Sequence, residues 1–173
     1  LSVLYIVLPI LAVSFCHALE VVFTARRWAS HHSASSDEAH QSLVNILFRL
    51  SGMNMSALVI AAVVGFLAVL LSTAALFAGG LWAELVWTTV FMAYSVCALI
   101  NLVRAVTLKG YVPGLVTSII SVPLIAYAAY SLSLVWPWWG MLLFAILGLF
   151  LALANLYFAQ RIGQRQTSNS TKN

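Results

Sequence analysis

His17 and Glu20 stand three residues apart in a long apolar run, a spacing that puts both on one face of a helix. An imidazole and a carboxylate so placed could relay a proton, hold an ion or close a buried hydrogen-bond network. Ionisable groups inside a bilayer are costly, which makes them functional candidates by default. Asn101 and Arg104 repeat the spacing in a later run, and Asn155 falls at a similar depth in the last one. These five residues are expected to form an intramembrane polar cluster. In the structural version, Glu20 pairs with Arg104 between helices while His17 and the asparagines complete the hydrogen bonds, because a lone buried charge is strongly destabilising. In the functional version, His17 and Glu20 begin a proton or ion path, which would need polar groups at several depths. A third version turns Glu20 and Arg104 towards a partner subunit.

A second set of candidates lies at the other end of the runs. Glu84, near the start of the third, is expected at the outer headgroup level, where it can meet the positive end of a helix dipole. A substrate or partner contact is the sharper alternative for it. Trp136, Trp138 and Trp139 cluster at a turn and mark the outer interface, the level that tryptophan prefers.

Five apolar runs must position these groups, over residues 2–24, 55–78, 81–106, 112–136 and 140–160. Each meets the roughly 20 residues that a helix needs to cross about 30 Å of hydrocarbon. The chain is 63% hydrophobic and 7% charged, with mean hydropathy +1.02. A soluble domain carries about 25% charged residues, so an aqueous fold is excluded. The fold class is all-α: a polytopic integral membrane protein with five transmembrane helices, forming a single domain over 1–163. A polar tail over 164–173 is expected to be disordered.

Threading the runs places all eight Lys and Arg residues on one side. Arg26, Arg27 and Arg49 fall in the first loop, Arg104 and Lys109 around the third, and Arg161, Arg165 and Lys172 in or beside the tail. The loops at 79–80 and 137–139 carry no charge. By the positive-inside rule the basic side is cytoplasmic, which predicts a multi-pass inner-membrane chain with its N-terminus outside and C-terminus inside. In the first loop, Ser35 and Glu38 fit a capping box. Leu43, Val44, Ile46, Leu47 and Leu50 follow at helical spacing, so an amphipathic interfacial helix is expected over 37–50. Pro9 and Pro123 are expected to kink their spans, and Pro113 fits the first turn of span four.

Several chemistries find no support. The eight basic residues form no continuous stripe, so nucleic acid is not an expected partner. Nucleophile motifs, phosphate-binding glycine loops and paired catalytic carboxylates are absent. His31, His32 and His40 read as solvated loop residues, and Cys16 and Cys97 as small apolar residues within spans. No metal site and no cofactor are predicted, and no cleavable signal peptide is expected. Ala61-x-x-x-Gly65 and Gly148-x-x-x-Ala152 offer grooves for close helix approach, and Ser118 and Ser121 should bond back to carbonyls or pack across helices.

The functional expectation is a non-enzymatic membrane subunit that packs with other membrane proteins or copies of itself, serving assembly, stabilisation or lipid binding. Membrane lipids are the expected bound molecules. The alternative is a small oligomeric transporter or channel that uses the His/Glu/Arg cluster.

Overall fold

The computed structural model describes residues 2–32, 55–107 and 109–170. The described residues form five helices and no strand: α1 (Ser2–His32), α2 (Met55–Ala78), α3 (Leu81–Thr107), α4 (Leu115–Ser133) and α5 (Trp138–Ser170). Each holds a stretch long and apolar enough to cross a membrane. Several of their buried hydroxyls bond back to carbonyls of their own helix, as suits a lipid-embedded segment. Ser14 bonds the Leu11 carbonyl at 2.8 Å, Ser72 that of Val69 at 3.0 Å and Ser95 that of Phe91 at 2.8 Å.

The helices depart from the apolar runs at their ends, for identifiable reasons. α1 continues to His32 and α5 to Ser170, well past the apolar segments Tyr5–Ala25 and Trp138–Gly163. Hydropathy marks where hydrocarbon stops, whereas backbone hydrogen bonding carries a helix on into polar sequence. The segment over 164–170 is accordingly helical, although a disordered tail was expected there. α4 is shorter than its run at both ends. It starts after Gly114, whose left-handed φ of 85° interrupts the helix, and it stops before Pro137, which disfavours helical geometry in the residue ahead. The expected interfacial helix over 37–50, with His40, lies outside the described residues.

α2 and α3 join through Gly79 and Gly80, both at positive φ, where a Cβ would be strained. α1 packs on α2 and α4, α2 on α3, and α3 on α4, so these four close a ring. α5 seats against α2 and α3, and touches α4 only slightly. Small residues set these contacts. A Cβ on Gly148 would meet the Ala93 backbone nitrogen at 2.7 Å, so α3 and α5 approach backbone to backbone. Along α2, Ala57 and Ala61 face Ala159 of α5 in a buried cluster that also holds Val21 and Ala25 of α1. At the other end, Val7, Ile10, Val69, Trp87, Phe91 and Ala128 form a second apolar cluster, with the Trp87 and Phe91 rings stacked at 5.5 Å.

Candidate functional site

α4 begins at a glycine, which offers no side chain to cap its orphan amides. The cap comes from another helix. Glu20 of α1 accepts the Val116 N–H on Oε1 at 3.1 Å and the Thr117 N–H on Oε2 at 2.9 Å. The Thr117 hydroxyl donates to Oε2 at 2.7 Å and the Tyr111 hydroxyl to Oε1 at 2.6 Å. A carboxylate that receives two amides and two hydroxyls at the positive end of a helix sits there as the charged acceptor.

His17 stands one turn earlier on α1 and is tied to the same point, with Nδ1 2.9 Å from Thr117 Oγ1. Its ring lies against Gly114 so closely that an added Cβ there would clash with Cε1. Gly114 is thus required twice, by its left-handed backbone and by the imidazole packed on it. The His17 ring also meets Tyr94 of α3 edge-on, at 6.2 Å between centroids.

From this junction a polar ladder climbs between α3 and α4. Ser118 donates to the Gly114 carbonyl at 2.6 Å and accepts a long bond from Asn101 Nδ2 at 3.4 Å. Ser121 donates to the Thr117 carbonyl at 2.6 Å, which leaves the Tyr94 hydroxyl as donor to Ser121 Oγ, also at 2.6 Å. Ser118 and Ser121 are both 0% exposed. Beyond them comes the apolar cluster of Val7, Ile10, Trp87 and Phe91, and the ladder ends.

Beside the ladder is a cavity of about 170 Å³, where α1 and α3 stand apart. Its walls are mostly apolar, and His17, Asn101, Arg104, Tyr94 and Asn155 supply polar groups. The structure therefore gathers His17, Asn101, Arg104 and Asn155 around one space, while the Glu20 carboxylate turns to the N-terminus of α4. Asn155 Nδ2 donates to the Ala61 carbonyl at 2.9 Å and lies 3.8 Å from where a Gly65 Cβ would be, so it fills the small-residue groove of α2. Cys97 also lines the cavity. Among the described residues, no three His, Cys, Asp or Glu side chains gather as metal ligands would.

The outer-interface candidates lie at the opposite end. Glu84 is exposed in the first turn of α3, and its carbonyl accepts the Thr88 hydroxyl at 2.7 Å. Trp138 and Trp139 are exposed, while Trp136 packs edge-on to Phe144 at 5.2 Å. Trp136 and Trp139 line an open apolar groove between α3 and α5 together with Trp82.

Sequence reasoning did not single out Tyr111, Gly114 or Thr117. The signal available for them was the Pro113-Gly114 turn immediately before a helix containing Thr117, Ser118 and Ser121.

Comparison with protein families matches residues 8–128 to a model described as a protein of unknown function with HXXEE motif. No curated protein and no solved structure matches. The chain contains a single His-x-x-Glu, at His17-Ala18-Leu19-Glu20, and the next residue is Val21. Val21 is 4% exposed, belongs to the apolar cluster with Ala57 and Ala159, and lines the cavity. The chain belongs to the HXXEE-motif family, with His17 and Glu20 in place at the junction of α1 and α4 and valine where the motif has its second glutamate.

Proposed function

We propose that the protein is a non-enzymatic membrane protein that holds a small, mainly apolar molecule in the cavity between α1, α2, α3 and α5. One observation carries this reading: the polar ladder is a dead end. It runs from Glu20 and Tyr111 through Thr117 and Ser118 to Ser121 and Tyr94, then meets Val7, Ile10, Trp87 and Phe91. A conducting path needs polar groups or water across the whole thickness, and this one has them in one half. A mostly apolar cavity with a few convergent polar groups has the usual form of a small-molecule site.

This keeps the lipid-binding branch of the sequence reading and requires no partner chain. It also assigns Glu20 a holding role, since three of its carboxylate's four hydrogen bonds come from the first turn of α4 and the fourth from Tyr111 in the turn that leads into it. The basic end, where the cavity lies, is the cytoplasmic end by the positive-inside rule.

The test combines two measurements on protein purified alone in mild detergent. Native mass spectrometry should find a small molecule or lipid fragment retained by the wild type and lost when Ala62→Leu fills the cavity. Proteoliposomes should show no proton or ion flux above empty vesicles. Flux that disappears in Glu20→Gln would overturn the binding reading in favour of a transporter.

A further inference from the structure

We infer that the cavity takes an uncharged, ring-sized molecule bearing a hydroxyl, whose O–H donates to His17 Nε2; this rests on the binding reading above.

The direction of the hydrogen bonds leads there. Glu20 is an acceptor, and its bond from Thr117 Oγ1 is 2.7 Å, shorter than the 3.2 Å from that hydroxyl to the Gly114 carbonyl. Thr117 has one hydroxyl proton, and the carboxylate is the stronger acceptor, so that proton points to Glu20. Oγ1 must then receive its bond from His17, which places the imidazole proton on Nδ1. The neutral ring keeps a lone pair on Nε2, the nitrogen with which His17 can meet a ligand in the cavity it lines. The relay thus runs from His17 through Thr117 to Glu20 and orients His17 as an acceptor.

Size and polarity narrow the ligand further. An apolar cavity of about 150 Å³ admits benzene, and this one is about 170 Å³. At the motif's last position the wall carries Val21, a hydrocarbon surface, so no carboxylate faces the ligand from there. Asn101, on the same lining, offers an N–H donor to the oxygen of a hydroxyl that is itself donating to His17. A ring with one hydroxyl satisfies both sides.

Phenol is the probe, and anisole, which has the same ring and oxygen but no O–H, is the control. Both are titrated into detergent-solubilised protein carrying 15N-labelled histidine, with His17 assigned by its absence in His17→Gln. The expected result is a pyrrole-type Nδ1 and a pyridine-type Nε2 in the unliganded protein. Phenol should saturate with about tenfold higher affinity than anisole, the worth of one net hydrogen bond, and should shift Nε2. Saturation by both should be lost in Ala62→Leu, which separates the cavity from partition into the micelle. Equal affinities for phenol and anisole, or a proton on Nε2, would overturn the hydroxyl inference while the cavity reading stands. If neither probe saturates, or Ala62→Leu changes nothing, the binding reading fails and the inference with it. The phenol-to-anisole affinity ratio of the wild type requires no variant, so a poorly folding mutant does not remove the test.

Discussion

Glu20 and Thr117, 97 residues apart, are joined twice: the threonine backbone N–H lies 2.9 Å and its hydroxyl 2.7 Å from the same carboxylate oxygen. The first helix of the chain therefore caps the fourth. An N-cap is normally a local device, with the side chain two or three residues from the amide it serves. Here the cap is tertiary, so local helix stability and the packing of α1 on α4 are one interaction.

Glu20→Gln should loosen this junction without dismantling it. The amide oxygen can still accept from one side, but the charge at the helix N-terminus is lost and the amide N–H₂ faces other donors. A loss of about 1–2 kcal/mol is expected, in the range of cap removal. It would be measured by denaturant titration of helicity in detergent micelles, with Glu20→Ala costing more.

Gly114→Ala should be at least as damaging. Its φ of 85° costs a side-chain-bearing residue about 1–2 kcal/mol, and the new methyl would press on the His17 ring. The double variant Gly114→Ala with His17→Ala should recover part of the loss, because the clash goes while the backbone strain stays. A double-mutant cycle in thermal unfolding reads the recovered part directly.

Gly148 and Gly65 predict opposite tolerance. A methyl on Gly148 would come within 2.8 Å of Met92 and Ala93 backbone atoms, which cannot move without separating α3 from α5. Gly148→Ala is expected to lower stability by about 2 kcal/mol or more. Gly65→Ala meets only Asn155 Nδ2 at 3.8 Å, an ordinary contact, and should stay within about 0.5 kcal/mol of wild type. Thermal midpoints of the two purified variants decide the comparison.

Tyr111 supplies a pH test. Burial first, and then its bond to Glu20, hold the phenol above its ordinary range. The folded state thus favours the protonated phenol. Its contribution is complete below the ordinary tyrosine value of about 10 and is lost as pH rises through the higher folded value. Phenolate absorbance of wild type minus Tyr111→Phe should titrate later than free tyrosine. The stability difference between the two proteins should shrink over that alkaline window.

Orientation is tested with single cysteines in a background lacking Cys16 and Cys97. A cysteine at Ser35 should resist an impermeant thiol reagent added outside intact cells, and one at Gly80 should react. The reverse pattern would place the basic end, with His17 and Glu20, on the outside.

Much of the molecule is readable from the order of its residues. The five crossings and the gathering of Arg27, Arg104, Lys109 and Arg161 at one end follow from run length and alternation of direction. Both depend on sums along the chain, which need no knowledge of lateral packing. The spacing of His17 and Glu20 likewise follows from helical periodicity, and so does the small-residue stripe of α2 that Asn155 occupies. What the order of residues does not contain is which helices touch. Arg104 was the natural partner for Glu20 by charge and depth, yet α1 packs against α4, and the start of α4 offers amides and hydroxyls that satisfy the carboxylate at 2.6–3.1 Å. The cavity arises in the same way, from α1 and α3 standing apart around Val21, His17 and Arg104. Gly114 looks like a turn residue in the sequence. Only the packed imidazole shows that it is also the floor on which His17 rests, because that demand comes from a side chain 97 positions away and has no local periodicity to betray it.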